Sequence, residues 1–69
     1  MNMIQKMKMH AARLLARGFD AIPSPIGDEI DVVTRYGRDV VVYVDSRGFV
    51  VEDEAVRTFP ALVSWLDNN

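Results

Sequence analysis

The stretch "RDVVVYVD" (residues 38–45) breaks the alternation expected of a half-buried strand. In a sheet that is wet on one side, every second side chain is polar. Here Val40, Val42 and Val44 point one way, while Val41 and Tyr43 point the other, so both faces are apolar. Upstream, residues 29–36 alternate, with Ile30, Val32 and Thr34 on one side and Asp31, Val33 and Arg35 on the other. A loop of Arg35, Tyr36 and Gly37, with Gly37 as a bulge, aligns Ile30 and Val32 with Val40 and Val42; a one-residue slip would scatter them. Downstream, "DSRG" (45–48) carries the signature of a type I turn closed by a left-handed glycine bulge. That turn sets Asp45 opposite Phe49, Val44 near Val50 and Tyr43 near Val51. The first face of the sheet is then Ile30, Val32, Val40, Val42, Val44 and Val50. The second is Val33, Val41, Tyr43, Phe49 and Val51, edged by Asp31, Arg35, Asp39 and Asp45.

The flanking segments follow the helical period. Ile4, Met7, Ala11, Leu14 and Leu15 form one stripe over residues 3–17, and Gly18 supplies the stop. Lys6, Arg13 and Arg17 form a basic stripe on the opposite side, with His10 at its edge. "FDAI" (19–22) reads as a short edge strand ended by "PSP". From Asp53 to Leu66 the stripe is Ala55, Val56, Phe59, Leu62, Val63 and Leu66, with Asp53 and Glu54 placed to cap the helix and complement its dipole. Pro60 interrupts it, so the helix is either kinked there or begins afresh with Thr58 as its cap. Trp65 lies off the stripe, as a lid on the core edge or as an interface anchor. The fold class is α+β: an N-terminal helix, a three- to four-stranded antiparallel meander and a C-terminal helix kinked or broken near Pro60, all in one domain.

Four strands at about 4.8 Å spacing are roughly 19 Å wide, and a helix with its side chains is about 10 Å across. Two helices are therefore needed to cover one face. Helices segregated to one side are the usual arrangement for an antiparallel sheet. The second face would then be bare and would meet another chain; one helix on each face would weaken that demand.

Size and charge reinforce the expectation of a partner. A 69-residue chain buries only about 60% of its unfolded surface and is marginally stable unless something adds to it. There is no cysteine, which leaves a partner or a second subunit as the supplement. Residues 1–17 carry four bases and no acid, whereas residues 18–69 carry ten acids against four arginines. Separated charge of this kind marks a partner-binding end, with Lys6, Arg13 and Arg17 as a steering stripe. Met1, Met3, Met7 and Met9 add an adaptable apolar surface. No apolar run approaches the roughly 20 residues of a membrane span, and Arg13 and Arg17 interrupt any export signal, so a soluble cytoplasmic protein is expected.

Catalytic chemistry is sparse. His10 has no carboxylate at helical spacing to orient it and reads as a surface residue rather than a general base. No glycine-rich phosphate loop occurs. The acid clusters 28–31 and 52–54 lack calcium-loop spacing. No enzyme activity, cofactor or metal is expected. The layout resembles small docking domains of multienzyme assemblies. In size and economy the chain resembles the stoichiometric inhibitors phages direct against host defences, anti-CRISPR proteins among them. The expected function is protein binding, as an inhibitor or adaptor or as a homodimer, through Val41, Tyr43, Phe49 and Val51, with Lys6, Arg13, Arg17 and Trp65 around them. The alternative is a small nucleic-acid-associated regulator using the basic helix, which the acidic body disfavours.

Overall fold

Asn2 starts the first helix with a reciprocal cap. Its side chain accepts from the Gln5 backbone N–H at 2.9 Å, and the Gln5 side chain accepts from the Asn2 N–H, satisfying two donors that a helix start leaves free. The computed structural model describes residues 2–69; Met1 lies outside them. Helix α1 runs Met3–Ala16, followed by strands β1 Asp20–Pro23, β2 Glu29–Val33, β3 Asp39–Asp45, β4 Gly48–Val51 and β5 Glu54–Val56, then helix α2 Phe59–Asp67. The strands form one antiparallel sheet in the order β1-β2-β3-β4-β5. The chain is thus the expected α+β meander between two helices, with one strand more than the pattern indicated.

The additional strand is β5. Residues 53–56 do not begin the second helix. Val51 pairs with Glu54 across a two-residue turn in which Glu52 and Asp53 both have positive φ, 49° and 66°. Such a turn matches the twist of the strands it joins. Asp53 and Glu54 are therefore a turn residue and a strand residue, and neither caps a helix. Thr58 is the cap instead: its Oγ1 accepts from Ala61 N at 3.2 Å. Pro60 falls in the first turn of α2, where the missing N–H would have no partner anyway. Of the two expectations for Pro60, a fresh start at Thr58 holds.

The first hairpin has the expected form. Gly37 N–H donates to Thr34 O at 2.9 Å, Gly37 has φ +80°, and Val32 and Ile30 pair with Val40 and Val42. In the second hairpin Gly48 has the expected positive φ, +136°, but the register is shifted by one. Asp45 pairs with Gly48, Val44 with Phe49, Tyr43 with Val50 and Val42 with Val51. Only Ser46 and Arg47 form the loop, steadied by Arg47 N–H donating to the Asp45 carboxylate at 2.7 Å. The shift reverses the faces of Phe49, Val50 and Val51 from those the sequence pattern indicated. It also places two large apolar side chains in the core instead of one.

Every buried strand residue points the same way: Ala21, Ile30, Val32, Val40, Val42, Val44, Phe49, Val51 and Val56. Met7, Ala11 and Leu14 of α1, with Phe59, Leu62, Val63 and Leu66 of α2, join them in one cluster. Both helices thus lie on one side of the sheet. Ile4 and Leu15, expected in the α1 stripe, are half exposed, and His10 takes a place in the buried row with Met7 and Leu14. No helix among the described residues is long and apolar enough to cross a membrane.

Candidate functional site

The side of the sheet away from the helices answers the question raised by the doubly apolar strand. Its cross-strand rows follow from the register. Asp20, Val33 and Asp39 form one row, and Ile22, Asp31 and Val41 the next. Glu29, Tyr43, Val50 and Ala55 form the third. None of these side chains is buried: Ile22 is 68% and Tyr43 44% exposed, and Val33, Val41 and Val50 are half-buried. Single exposed apolar side chains are ordinary, but a contiguous patch of them marks an interaction site. A shallow hollow of about 440 Å³ lies in this face, lined by Ile22, Val33 and Val41 with Asp20, Asp31 and Asp39 around them.

Of the apolar residues expected on this face, Val33, Val41 and Tyr43 are there. Phe49 and Val51 are not; they are 5% and 0% exposed and face the helices. The Phe49 ring meets His10 edge-on at 5.0 Å and Phe59 at 6.4 Å. The slip of one residue removed them and brought in Val50. Ile22 completes the patch. Strand alternation around the buried Ala21 points Ile22 outward, but only the pairing of β1 with β2 sets it beside Asp31 and Val41.

The basic stripe of α1 is part of the fold. The Arg13 guanidinium lies 3.8 Å from the centre of the Phe59 ring and that of Arg17 5.8 Å away, joining α1 to the start of α2 with about 0.5–1 kcal/mol per contact for exposed pairs. Lys6 lies at the opening beside His10. All three are on the helix side, away from Val41 and Tyr43. Trp65 is there too. It packs on the core and its Nε1–H donates to Glu54 Oε2 at 2.9 Å, so it covers the β5 edge. Arg35, expected at the rim of the open face, turns to the helix side, where it pairs with Asp67 and donates to Arg17 O at 2.9 Å. Arg38 pairs with Glu52.

His10 corrects the expectation of a surface histidine. It is 7% exposed, and its Nδ1 is buried with no hydrogen-bond partner. Burial, then the nearby charges of Arg13 and Lys6, lower its pKa below the ordinary 6.5. Across the opening stand Asp45, Arg47 and Arg57, one acid against two further bases. Because the folded-state pKa lies below the unfolded one, the unfolded chain binds the proton more tightly. This contribution to stability is fully present above pH ~6.5 and is lost as the pH falls below that value towards the folded pKa. The urea midpoint should therefore decrease between neutral and mildly acidic pH, and His10→Leu should flatten that decrease. A midpoint that rises on acidification would contradict the assignment.

No family model, curated protein or solved structure matches the chain. The functional reading accordingly rests on the geometry of the open face.

Proposed function

We propose that this chain is a non-catalytic protein–protein interaction module that binds a larger partner through the open face of its sheet, as a stoichiometric inhibitor or adaptor. The observation that carries this reading is the placement of both helices on one side, which leaves Ile22, Val33, Val41, Tyr43 and Val50 without cover from the chain itself. A two-layer fold normally buries its second apolar face against another layer. Here the third layer would come from the partner. An anti-defence role of the anti-CRISPR kind is one setting for such an inhibitor, supported only by size and economy.

A face-to-face homodimer fits less well than a different partner. It would set the acids of one copy against the same acids of the other, and like charges across an interface are costly. The same reading is favoured over a nucleic-acid role for the basic helix because Arg13 and Arg17 stack on Phe59 and the rest of the chain is acidic.

The test is affinity capture from the native host with three forms of the chain. Tyr43→Glu and Val41→Lys alter the open face, and Lys8→Glu alters the exposed side of α1. All three should keep the wild-type circular dichroism, because all three sites are outside the core. A specific partner should be retained by Lys8→Glu and bound at least about tenfold more weakly by the open-face variants. Capture that survives Tyr43→Glu and Val41→Lys unchanged would sink the proposal.

A further inference from the structure

The open face is not simply apolar. Among its outward positions are Asp20, Glu29, Asp31, Asp39 and Asp45, and no lysine, arginine or histidine. Half of the ten acids of the chain thus take outward strand positions; Arg47 and Arg57 border only the corner at Asp45, Val50 and Ala55, and no base lines the hollow at Ile22, Val33 and Val41. Among the described residues the ion pairs are Arg35–Asp67 and Arg38–Glu52, both off this face. None of this face's carboxylates joins an ion pair among the described residues. In each of the first two rows acid and apolar side chains alternate: Asp20, Val33, Asp39, then Ile22, Asp31, Val41.

From this pattern we infer that the open face accepts a cationic amphipathic segment of another protein, with an apolar ridge in the hollow and lysines or arginines on its flanks. The inference rests on the proposed interaction role and specifies its chemistry. A purely apolar partner would strip water from the aspartates and leave them unpaired, at the cost of a desolvated charge. A simple polycation would leave Ile22, Val33 and Val41 wet. Only a surface that offers both matches row by row. Asp20 and Asp39 flank Val33 at two strand spacings, about 10 Å apart at the backbone, which is also about the diameter of a helix with its side chains. An apolar ridge seated on Val33 and Val41 would carry its cations within reach of Asp20, Asp31 and Asp39.

The same signs disfavour other occupants. Nucleic acid phosphates and anionic lipid headgroups would be repelled by the carboxylates. In a second copy, α1 offers Lys8 alone beside its exposed Ile4 and Leu15, since Arg13 and Arg17 are turned to Phe59.

The experiment uses the full chain, nitrogen-15 labelled, and two synthetic helical peptides, one of leucine and lysine and one of leucine and glutamate. The leucine–lysine peptide should shift the amide signals of β1, β2 and β3. Its affinity should fall about tenfold or more in the triple variant Asp20→Asn, Asp31→Asn, Asp39→Asn, as expected when close charge pairs are lost. A triple variant at the β4–β5 hairpin, Glu52→Gln, Asp53→Asn, Glu54→Gln, makes the same change in net charge and should leave binding nearly unchanged. Equal weakening by both triple variants, or shifts confined to the helices, would overturn the inference by reducing binding to net charge. Equal binding of the leucine–glutamate peptide to the open face would also overturn it, as would peptide-free, concentration-dependent shifts of the same amides, which would make a second copy the occupant. Failure of both peptides, while Tyr43→Glu still releases the captured partner, would remove the cationic chemistry and leave the interaction role standing.

Discussion

Gly48→Ala should leave most of the chain unfolded at room temperature. Two costs add at this position. A φ of +136° belongs to a region that residues with a side chain rarely enter, a strain of about 1–3 kcal/mol. A β-carbon at Gly48 would also lie 2.7 Å from the carbonyl oxygens of Val56 and Arg57 and 2.8 Å from the Arg57 Cα. Those atoms are backbone, fixed where β5 leaves the sheet for α2, so they cannot swing aside as a side chain could. In a domain whose core supplies only about 3–5 kcal/mol, the combined loss takes most of the stability. Gly37 provides the control. It too has positive φ, +80°, but a β-carbon there meets nothing within 4 Å, so Gly37→Ala should cost only about 1–2 kcal/mol. Urea denaturation followed by circular dichroism separates the two. Equal stabilities would mean that the β5–α2 link does not close on Gly48.

Val51→Asp should be nearly as damaging, while its neighbour Val50→Asp should be mild. Val51 is 0% exposed, between the sheet and the helices. A carboxylate there would be buried without a partner, which costs about 3–5 kcal/mol. Val50 is half-buried on the open face beside Tyr43 and Ala55, where an added aspartate stays in water and costs at most about 1 kcal/mol. The pair tests the register directly. With Asp45 opposite Phe49, as the turn sequence alone indicates, the two outcomes would be exchanged. Thermal unfolding of both variants decides between the registers. Val50→Asp has a second use, because loss of partner binding in a folded Val50→Asp would place Val50 in the interface with Tyr43.

What could be read from the chain were features with local causes. The helical period marked α1, Gly37 marked the first hairpin, and the run Val40–Val44 announced a strand with two apolar faces. Each depends on residues near one another in the sequence, whose turn chemistry and side-chain period allow one low-energy arrangement. The first hairpin register followed because alternation in β2 and the Gly37 bulge agree.

The second hairpin and the C-terminal segment had no such agreement. "DSRG" fits a two-residue or a three-residue loop, and the choice belonged to the core. Phe49 sits between His10 of α1 and Phe59 of α2, partners outside the hairpin, and packing against them favours Phe49 and Val51 facing inward. Ala55 and Val56 fit a helical stripe as well as a strand, and a turn through Glu52 and Asp53 lacks the glycine that usually announces it. Pairing with β4 made the segment a strand. His10 was buried by the same packing, since a helix position shows its angle but not how far the neighbouring layers reach around it. The candidate interface divides in the same way. That Val41 and Tyr43 share a face opposite the core strand residues is legible in the strand alone, because side chains alternate along any strand. Packing across the whole domain puts both helices on the other side. It also decided that Ile22, Val50, Asp20 and Glu29 join Val33, Asp31, Asp39 and Asp45 around Val41 and Tyr43, because these depend on which strands pair and in which register. Those choices are set by the summed burial of the whole core, to which no short stretch of sequence has access.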